Sequence, residues 1–255
     1  MKVAVLASGS KGNATVVELD GVRFLVDAGI SARRLEKALA EVGMPAETLA
    51  GVLLTHEHVD HIGGLRVFLK HWPRLKVWTR PGTIREAMSQ LKLTEEAFVP
   101  LTEEQTLGES TLRLRSFVIP HDAADPCGFV VTGSERYVHV TDLGFVTDTV
   151  QRELEEADSM VLETNHDLAM LQQGRYPLML KKRILGSRGH LSNRAAANAL
   201  SQLDRLPKEL FLGHLSEENN LPELAERTLR EMLAEAGRDL SRMSLKVTSQ
   251  ECITM

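Results

Sequence analysis

Little in this chain is sulfur-rich, long and apolar, or repetitive, and each shortage removes a class of protein. Only two cysteines occur among 255 residues. Cys127 and Cys252 lie far apart in no metal-binding spacing, so they read as reduced thiols of a cytosolic protein. No apolar run approaches the roughly 18 residues that a membrane span requires. The segment Met1-Lys2-Val3-Ala4-Val5-Leu6 runs straight into a strand, without a secretory apolar region or cleavage site. No repeat, low-complexity stretch or linker breaks the pattern. These absences predict a single domain in the cytoplasm with no membrane contact. Hydrophobic residues make up 43% of the chain, enough for a sizeable core, and two-sheet and barrel domains reach this length. The formal net charge of −5 argues against a general polyanion binder.

What the chain does have is histidine, at one spacing above all. Thr55-His56-Glu57-His58-Val59-Asp60-His61 follows the apolar run Gly51-Val52-Leu53-Leu54, which reads as a buried strand. Residues two apart on an extended chain point to the same side, so His56 and His58 can reach one metal ion. The chain then turns into a helix predicted over Ile62 to Lys70, whose first turn aims Asp60 and His61 elsewhere, toward a second metal. The glycine pair Gly63-Gly64 lets that turn pack closely. Three further candidates recur in the same setting. Phe117-Val118-Ile119-Pro120 ends in His121, Tyr137-Val138-His139-Val140-Thr141 in Asp142, and Leu210-Phe211-Leu212-Gly213 in His214. Each follows a short apolar or β-prone run, which places all of them at one edge of the sheets.

The remaining elements alternate strands and helices. Val16 to Leu19 and Val22 to Val26 form a hairpin around Asp20-Gly21, a strong two-residue turn signal. Ser31 caps a helix to about Val42, with Gly43 as its stop. Helices are predicted over Thr83–Leu91, Thr147–Ala157, Asn193–Leu203 (opening with an Asn cap) and Leu221–Gly237. Strands are predicted over Thr111–Ile119, Gly128–Thr132, Tyr137–Val140, Ser159–Thr164 and Ser244–Thr248. Two sheets flanked by helices fit this order. His71, on a helix, and His139, within a strand, read as structural.

The pattern His-x-His-x-Asp-His resembles the signature of the metallo-β-lactamase fold superfamily. That resemblance implies an α/β (α+β) fold, a four-layer αββα sandwich with two divalent metals between the sheets. It assigns His56, His58 and His121 to the first metal and Asp60, His61 and His214 to the second, with Asp142 bridging. Two such ions share a water, lower its pKa toward ~7 and stabilise charge on a phosphoryl or carbonyl oxygen; the resemblance implies a metal-bridging hydroxide as the nucleophile, with Asp60 placed beside it as a catalytic ligand. Histidine and carboxylate donors suit Zn²⁺, Mn²⁺ or Fe²⁺ alike. Some lactamase-type relatives use a cysteine in the second site; none stands in a ligand position here, which argues against antibiotic hydrolysis.

Further motifs are more specific. Leu6-Ala7-Ser8-Gly9-Ser10-Lys11-Gly12-Asn13-Ala14, the 55–64 segment, Glu163 to Asp167, Tyr176-Pro177, Leu180 to Ile184, Gly189 to Asn193 and Gly213-His214-Leu215-Ser216 with Asn219-Asn220 together resemble the YycJ/WalJ family of metallo-β-lactamase fold hydrolases over essentially the full chain. That resemblance implies a phosphodiesterase, a 5′-to-3′ exonuclease on double-stranded DNA. In the phosphodiesterase branch that includes tRNase Z, a His-Ser-Thr segment opens the corresponding helix. By that likeness His190 acts as a general acid or phosphate donor. The rival reading is a surface histidine beside a helix cap. Larger nuclease relatives insert a domain between the positions of Asp142 and His190; residues 143 to 189 are too few for it, so the cleft should be open.

From Leu168 through Leu203 no acidic residue occurs, while Arg175, Lys181, Lys182, Arg183, Arg188 and Arg194 are basic. A positive wall beside His190 would serve DNA phosphates, which need charge and backbone donors rather than base reading. Lys11 and Asn13 sit in a loop resembling an anion nest, though its spacing matches no P-loop, so no nucleotide cofactor is expected. His166 and Asn193 are further candidates for the cleft wall. The competing enzyme reading is a small-molecule hydrolase acting on a thioester, lactone or cyclic phosphodiester, which needs only the metals and a pocket and suits the acidic net charge. A metal-stabilised binding module without catalysis is a third reading, which the full ligand set disfavours.

Overall fold

The computed structural model describes residues 1–102, 104–107 and 110–255. The first sheet runs in chain order, β1 (Lys2–Ala7), β2 (Ala14–Leu19), β3 (Val22–Val26), β4 (Leu49–Leu53), β5 (Val77–Thr79) and β6 (Phe98–Pro100). Its first three strands are antiparallel, and β3 to β6 are parallel. The second sheet holds β7 (Gln105–Thr106), β8 (Arg113–Val118), β9 (Cys127–Thr132), β10 (Arg136–Val140), β11 (Ser159–Glu163), β12 (Glu209–Gly213) and β13 (Ser244–Val247), again in sequential order. Here β10 to β13 are parallel and β7 to β10 antiparallel.

Strand alternation sorts the side chains into three apolar layers. Phe24, Val26, Leu53, Tyr137, Phe129, Val161 and Phe211 come from both sheets and form one core between them. Val16, Leu25 and Val52, on the other face of the first sheet, pack with residues of α1 (Ala32–Glu41), α3 (Leu65–His71) and α4 (Pro81–Leu91). Val138, Met160, Leu210 and Leu212 do the same for the second sheet against α5 (Asp148–Glu155), α8 (Asn193–Ser201) and α9 (Pro222–Glu235). The result is the expected αββα order of layers. Among the described residues, no helix is long and apolar enough to cross a membrane.

Most expected elements are present, with local differences that have physical causes. The hairpin turns at Asp20 (φ 50°) and Gly21 (φ 80°), with Leu19 paired to Val22, the backbone that a two-residue hairpin demands. The helix expected over 62–70 is broken into α2 (Val59–Ile62) and α3 at Gly63-Gly64. A Cβ on Gly64 would lie 1.9 Å from the Ile30 carbonyl oxygen, and one on Gly63 3.0 Å from that of Gly29. The chain therefore sacrifices helical continuity for close approach to the 28–30 loop. The α8 cap is Ser192, whose hydroxyl accepts from Ala195 N, rather than Asn193. Asn193 instead exchanges two 2.9 Å hydrogen bonds with Asn220. Two short helices, α6 (Leu168–Gln173) and α7 (Leu178–Ile184), occupy the basic stretch where the sequence reading placed no element. Their lengths, barely two turns, leave too little periodicity to detect.

Gly64→Ala should lower stability by about 1–3 kcal/mol, the usual cost of forcing extra volume against fixed backbone. Urea titration followed by circular dichroism reads this directly. A wild-type midpoint in the variant would mean that the 28–30 loop moves aside freely.

Candidate metal centre and active-site cleft

Each candidate donor hangs from the end of a strand or from the loop just beyond it. β4 leads into Thr55 to His58, and α2 then presents Asp60 and His61. His121 follows β8, Asp142 follows β10, and His214 follows β12. Asp142 (φ 61°) and His214 (φ 55°) adopt left-handed backbone, as does Asp27 (φ 59°) immediately after β3. Such geometry costs roughly 1–3 kcal/mol per residue and survives only where the surroundings enforce it. Here it lets the chain reverse within one residue while its carboxylate or imidazole points back over the sheet edge.

Two groups of donors result. In the first, His58 Nδ1 lies 3.0 Å from His56 Nε2 and 3.3 Å from His121 Nε2. In the second, Asp60 Oδ2 lies 3.4 Å from both His61 Nε2 and His214 Nε2. Asp142 stands between them, with Oδ2 3.2 Å from His61 Nε2 and Oδ1 3.3 Å from His214 Nδ1 and 4.0 Å from His121 Nε2. The structure thus brings all seven expected ligand residues together. His190 and Glu163 also come within ligand range of Asp142 and His214.

The imidazoles are oriented from behind, as metal-ligating histidines commonly are. Asp27 Oδ2 holds His61 Nδ1 at 2.8 Å, and the same carboxylate accepts from Thr55 N and its hydroxyl. The Thr55 hydroxyl is 3.0 Å from His56 Nδ1. The Gly189 carbonyl accepts from His121 Nδ1 at 3.2 Å. Glu163 serves two histidines through Oε1, at 2.7 Å from His190 Nδ1 and 3.0 Å from His214 Nδ1, while Oε2 accepts from Leu143 N and Leu191 N.

Does this donor set fit divalent cations? Three imidazole nitrogens face one another at His56, His58 and His121, more lone pairs than shared protons can satisfy. Asp142 Oδ2 is buried and, although 3.2 Å from His61 Nε2, makes no well-directed hydrogen bond among the described residues. A cation at each group resolves both conditions, and the residues present fit. Electrostatics agree. Burial works to lower His61 and His214, but the neighbouring carboxylates outweigh it. Asp27, Asp60 and Asp142 hold His61 well above its ordinary value, and Asp142, Asp60 and Glu163 push His214 up to about 10. Burial would raise Asp60 and Asp142, yet the surrounding imidazoles keep both carboxyls low. His56 is driven well below its ordinary value, chiefly by burial. The cluster attracts positive charge.

The substrate candidates divide. His190 lines a cleft of about 250 Å³ together with His58, Asp60, His121, Asp142 and His214. Of the basic segment, Arg183 alone reaches that cleft, with its guanidinium paired to Asp122 at 2.7 Å. Lys181 donates to the Gln172 carbonyl, and Lys182 and Arg188 are exposed on the flank. Lys11 pairs with Glu217 at 2.6 Å. Asn13 is buried as a brace: its amide donates to the Gly9 carbonyl at 3.1 Å and to Asp60 Oδ2 at 3.2 Å. Asn193 is fully engaged with Asn220, and His166 is buried with both ring nitrogens unpartnered among the described residues; burial lowers it to about 4. Neither lines the cleft. His139 packs between the sheets against the Tyr137 hydroxyl at 2.9 Å, and His71 pairs with Glu36.

Two residues central to the site have no assigned role in the sequence reading, Asp27 and Glu163. Both follow or end apolar strands, as the ligands do, so strand-terminal acids were the available signal. Asp27→Asn should weaken divalent metal affinity by about 10–100-fold, the usual effect of losing such a support. Competition with a chromophoric chelator measures it, and unchanged affinity would show that His61 needs no anchor.

With this geometry established, the comparisons with known proteins are specific. The family described as "Beta-lactamase superfamily domain" matches residues 22–215. Exodeoxyribonuclease WalJ of Streptococcus pneumoniae is 35% identical over 242 residues, covering 92% of this chain and 89% of that protein. Exodeoxyribonuclease YycJ of Bacillus anthracis is 34% identical over 239 residues with the same coverage. The crystal structure of the metallo-β-lactamase fold protein YhfI from Bacillus subtilis superposes with a TM-score of 0.71 at 17% identity, covering 99% of this chain and 98% of that one, a likeness of fold. The His/Asp clusters offer donors suited to divalent metal, and the chain belongs to the metallo-β-lactamase fold hydrolases of the WalJ/YycJ family.

Proposed function

We propose that the chain is a DNA exonuclease that hydrolyses phosphodiester bonds with two divalent metal ions, one held by His56, His58 and His121 and the other by Asp60, His61 and His214, with Asp142 between them. The carrying observation is the pairing of this seven-residue cluster with the adjoining His190–Glu163 pair, with His190 lining the same cleft. The relatives' names and their coverage of the whole chain supply the substrate class. Ions in the cluster lower a water's pKa toward ~7 and stabilise negative charge on a phosphoryl oxygen.

The chain's own residues do the rest. Burial acts to lower His190, but Glu163 at 2.7 Å and then Asp142 outweigh it, so the imidazolium persists above its ordinary range. With Nδ1 fixed by Glu163, the rest of the ring faces the cleft, where it donates to a phosphate or to the departing oxygen. Arg183, steadied by Asp122, supplies the positive charge nearest that position. Lys181, Lys182 and Arg188 lie outside and meet the phosphates that follow. A second reading, a small-molecule phosphodiesterase, is favoured by one observation: among the described residues, Arg183 is the single Lys or Arg side chain lining the cleft, and an acidic partner already neutralises it.

The deciding experiment incubates metal-reconstituted protein with end-labelled duplex DNA, single-stranded DNA, RNA and bis(p-nitrophenyl) phosphate. Stepwise release of mononucleotides from DNA ends is expected; turnover of the small ester alone would leave the second reading. Replacing Lys181, Lys182 and Arg188 together by glutamate should weaken duplex binding and flatten its salt dependence, and unchanged affinity at matched salt would make them ordinary surface. His190→Ala should retain two metals per chain and lose about 10²–10⁴-fold in rate on DNA. The loss should be smaller on bis(p-nitrophenyl) phosphate, whose leaving group departs without a proton. A lost ion would instead make His190 a ligand.

A further inference from the structure

The cleft has two unlike walls. One is the donor cluster with His190. The other is apolar, formed by Tyr176, Leu180 and Ile184. Leu180 and Ile184, four residues apart on α7, share one helical face; Tyr176 reaches the same cleft from the segment before the helix, and Arg183 joins them there. Lys181 and Lys182 lie on other faces and stay outside the cleft. The segment is held in place from several sides. Pro177 precedes the helix, the Asp167 carboxylate caps α6, Lys181 donates to the Gln172 carbonyl, and Asp122 grips Arg183. Nothing in hydrolysis itself requires an aromatic and two aliphatic side chains facing the cluster.

Resting on the exonuclease reading, we propose that Tyr176, Leu180 and Ile184 form the base-binding subsite for a single terminal deoxynucleotide, whose phosphate lies at the donor cluster. The chemistry matches: a nucleobase offers a flat apolar face on every sequence, and aromatic and aliphatic walls take such faces without reading their edges. Size decides the number. At about 250 Å³ the cleft lies below the ~300–1,000 Å³ typical of drug-sized ligand sites, which leaves no room for a base pair and limits the apolar residues to one base, with the sugar and phosphate reaching toward the open side and the donor cluster. The end of a duplex must therefore unpair before its last nucleotide enters, at the unstacking cost that other enzymes acting on extruded nucleotides also meet. Tyr176 and Leu180 act as specificity residues, selecting a strand end over an internal phosphodiester.

Binding of thymidine 5′-monophosphate and of 2-deoxyribose 5-phosphate to the metal-loaded protein, measured by calorimetry, tests the subsite without any turnover. The nucleotide should bind more tightly than the sugar phosphate by about 5- to 150-fold, the range of one base–aromatic stack. Tyr176→Ala should abolish most of that preference and leave sugar-phosphate affinity unchanged. Tyr176→Phe should keep it, and Leu180→Ala should reduce it with the tyrosine intact. Equal affinities in the wild type, or a preference that survives Tyr176→Ala, overturns the subsite. On DNA, a duplex with a mismatched terminal pair should be degraded faster than a fully paired one; equal rates overturn the unpairing requirement. If no DNA is hydrolysed while the nucleotide preference remains, the exonuclease reading falls and the subsite stands.

Discussion

The inter-sheet core sets the position of everything chemical in this molecule. Phe24, Leu53, Tyr137, Val161 and Phe211 interdigitate between two stacked sheets, and that packing fixes how far apart the strand ends of the two sheets lie. Donors contributed by β4 and its following turn then face donors contributed by the ends of β8, β10 and β12. Neither sheet holds a complete ligand set. The first supplies His56, His58, Asp60 and His61, the second His121, Asp142 and His214. A metal at either group would tie the two sheets together, so folding and metal binding share one free energy.

Around the cluster, conformational cost and polar burial are concentrated rather than spread. Among the described residues, three of the five non-glycine residues with positive φ, Asp27, Asp142 and His214, sit at this edge. Buried acids recur there too: Asp27 behind His61, Glu163 behind His190 and His214. A buried carboxylate is expensive unless paired, and each of these is paired to an imidazole that it also aims. Orientation and charge compensation are therefore the same contacts. Asp142 differs, since its Oδ2, 3.2 Å from His61 Nε2, makes no well-directed hydrogen bond among the described residues, which suits an oxygen that could coordinate a cation.

The division of labour across the cleft follows from the chain segments that build it. Strand ends are stiff and hold the donors. The 168–189 segment is built from two short helices, of which α7 carries basic residues outward and lines the cleft with Leu180 and Ile184, beside Tyr176 from the segment before it. Loops on a rigid scaffold are where substrate selection usually lies; here that loop carries helices of its own and is braced at Asp122, Gln172 and Asp167.

Much of this was legible in the residues. Alternation and turn chemistry marked the strands, because a buried face and a two-residue reversal leave local signatures. The histidine spacing at 56–61 and the recurrence of His121, Asp142 and His214 after apolar runs marked the residues that the fold brings together, since donors at strand ends need only local geometry to be recognised. What only the tertiary structure decided lies in long-range pairing. Asn13 and Asn193 read as substrate contacts in the cleft, yet their amides are spent on Asp60 and Asn220. The basic run 175–194 looked like one wall, yet helical geometry turns Arg183 inward and the lysines out. Asp27 lay in no motif, and Glu163 lay in one without an assigned role, because what they do exists only once strands distant in sequence lie side by side. Sequence fixes which side chains can bind metal or phosphate; the packing of the two sheets decides which of them face the cleft.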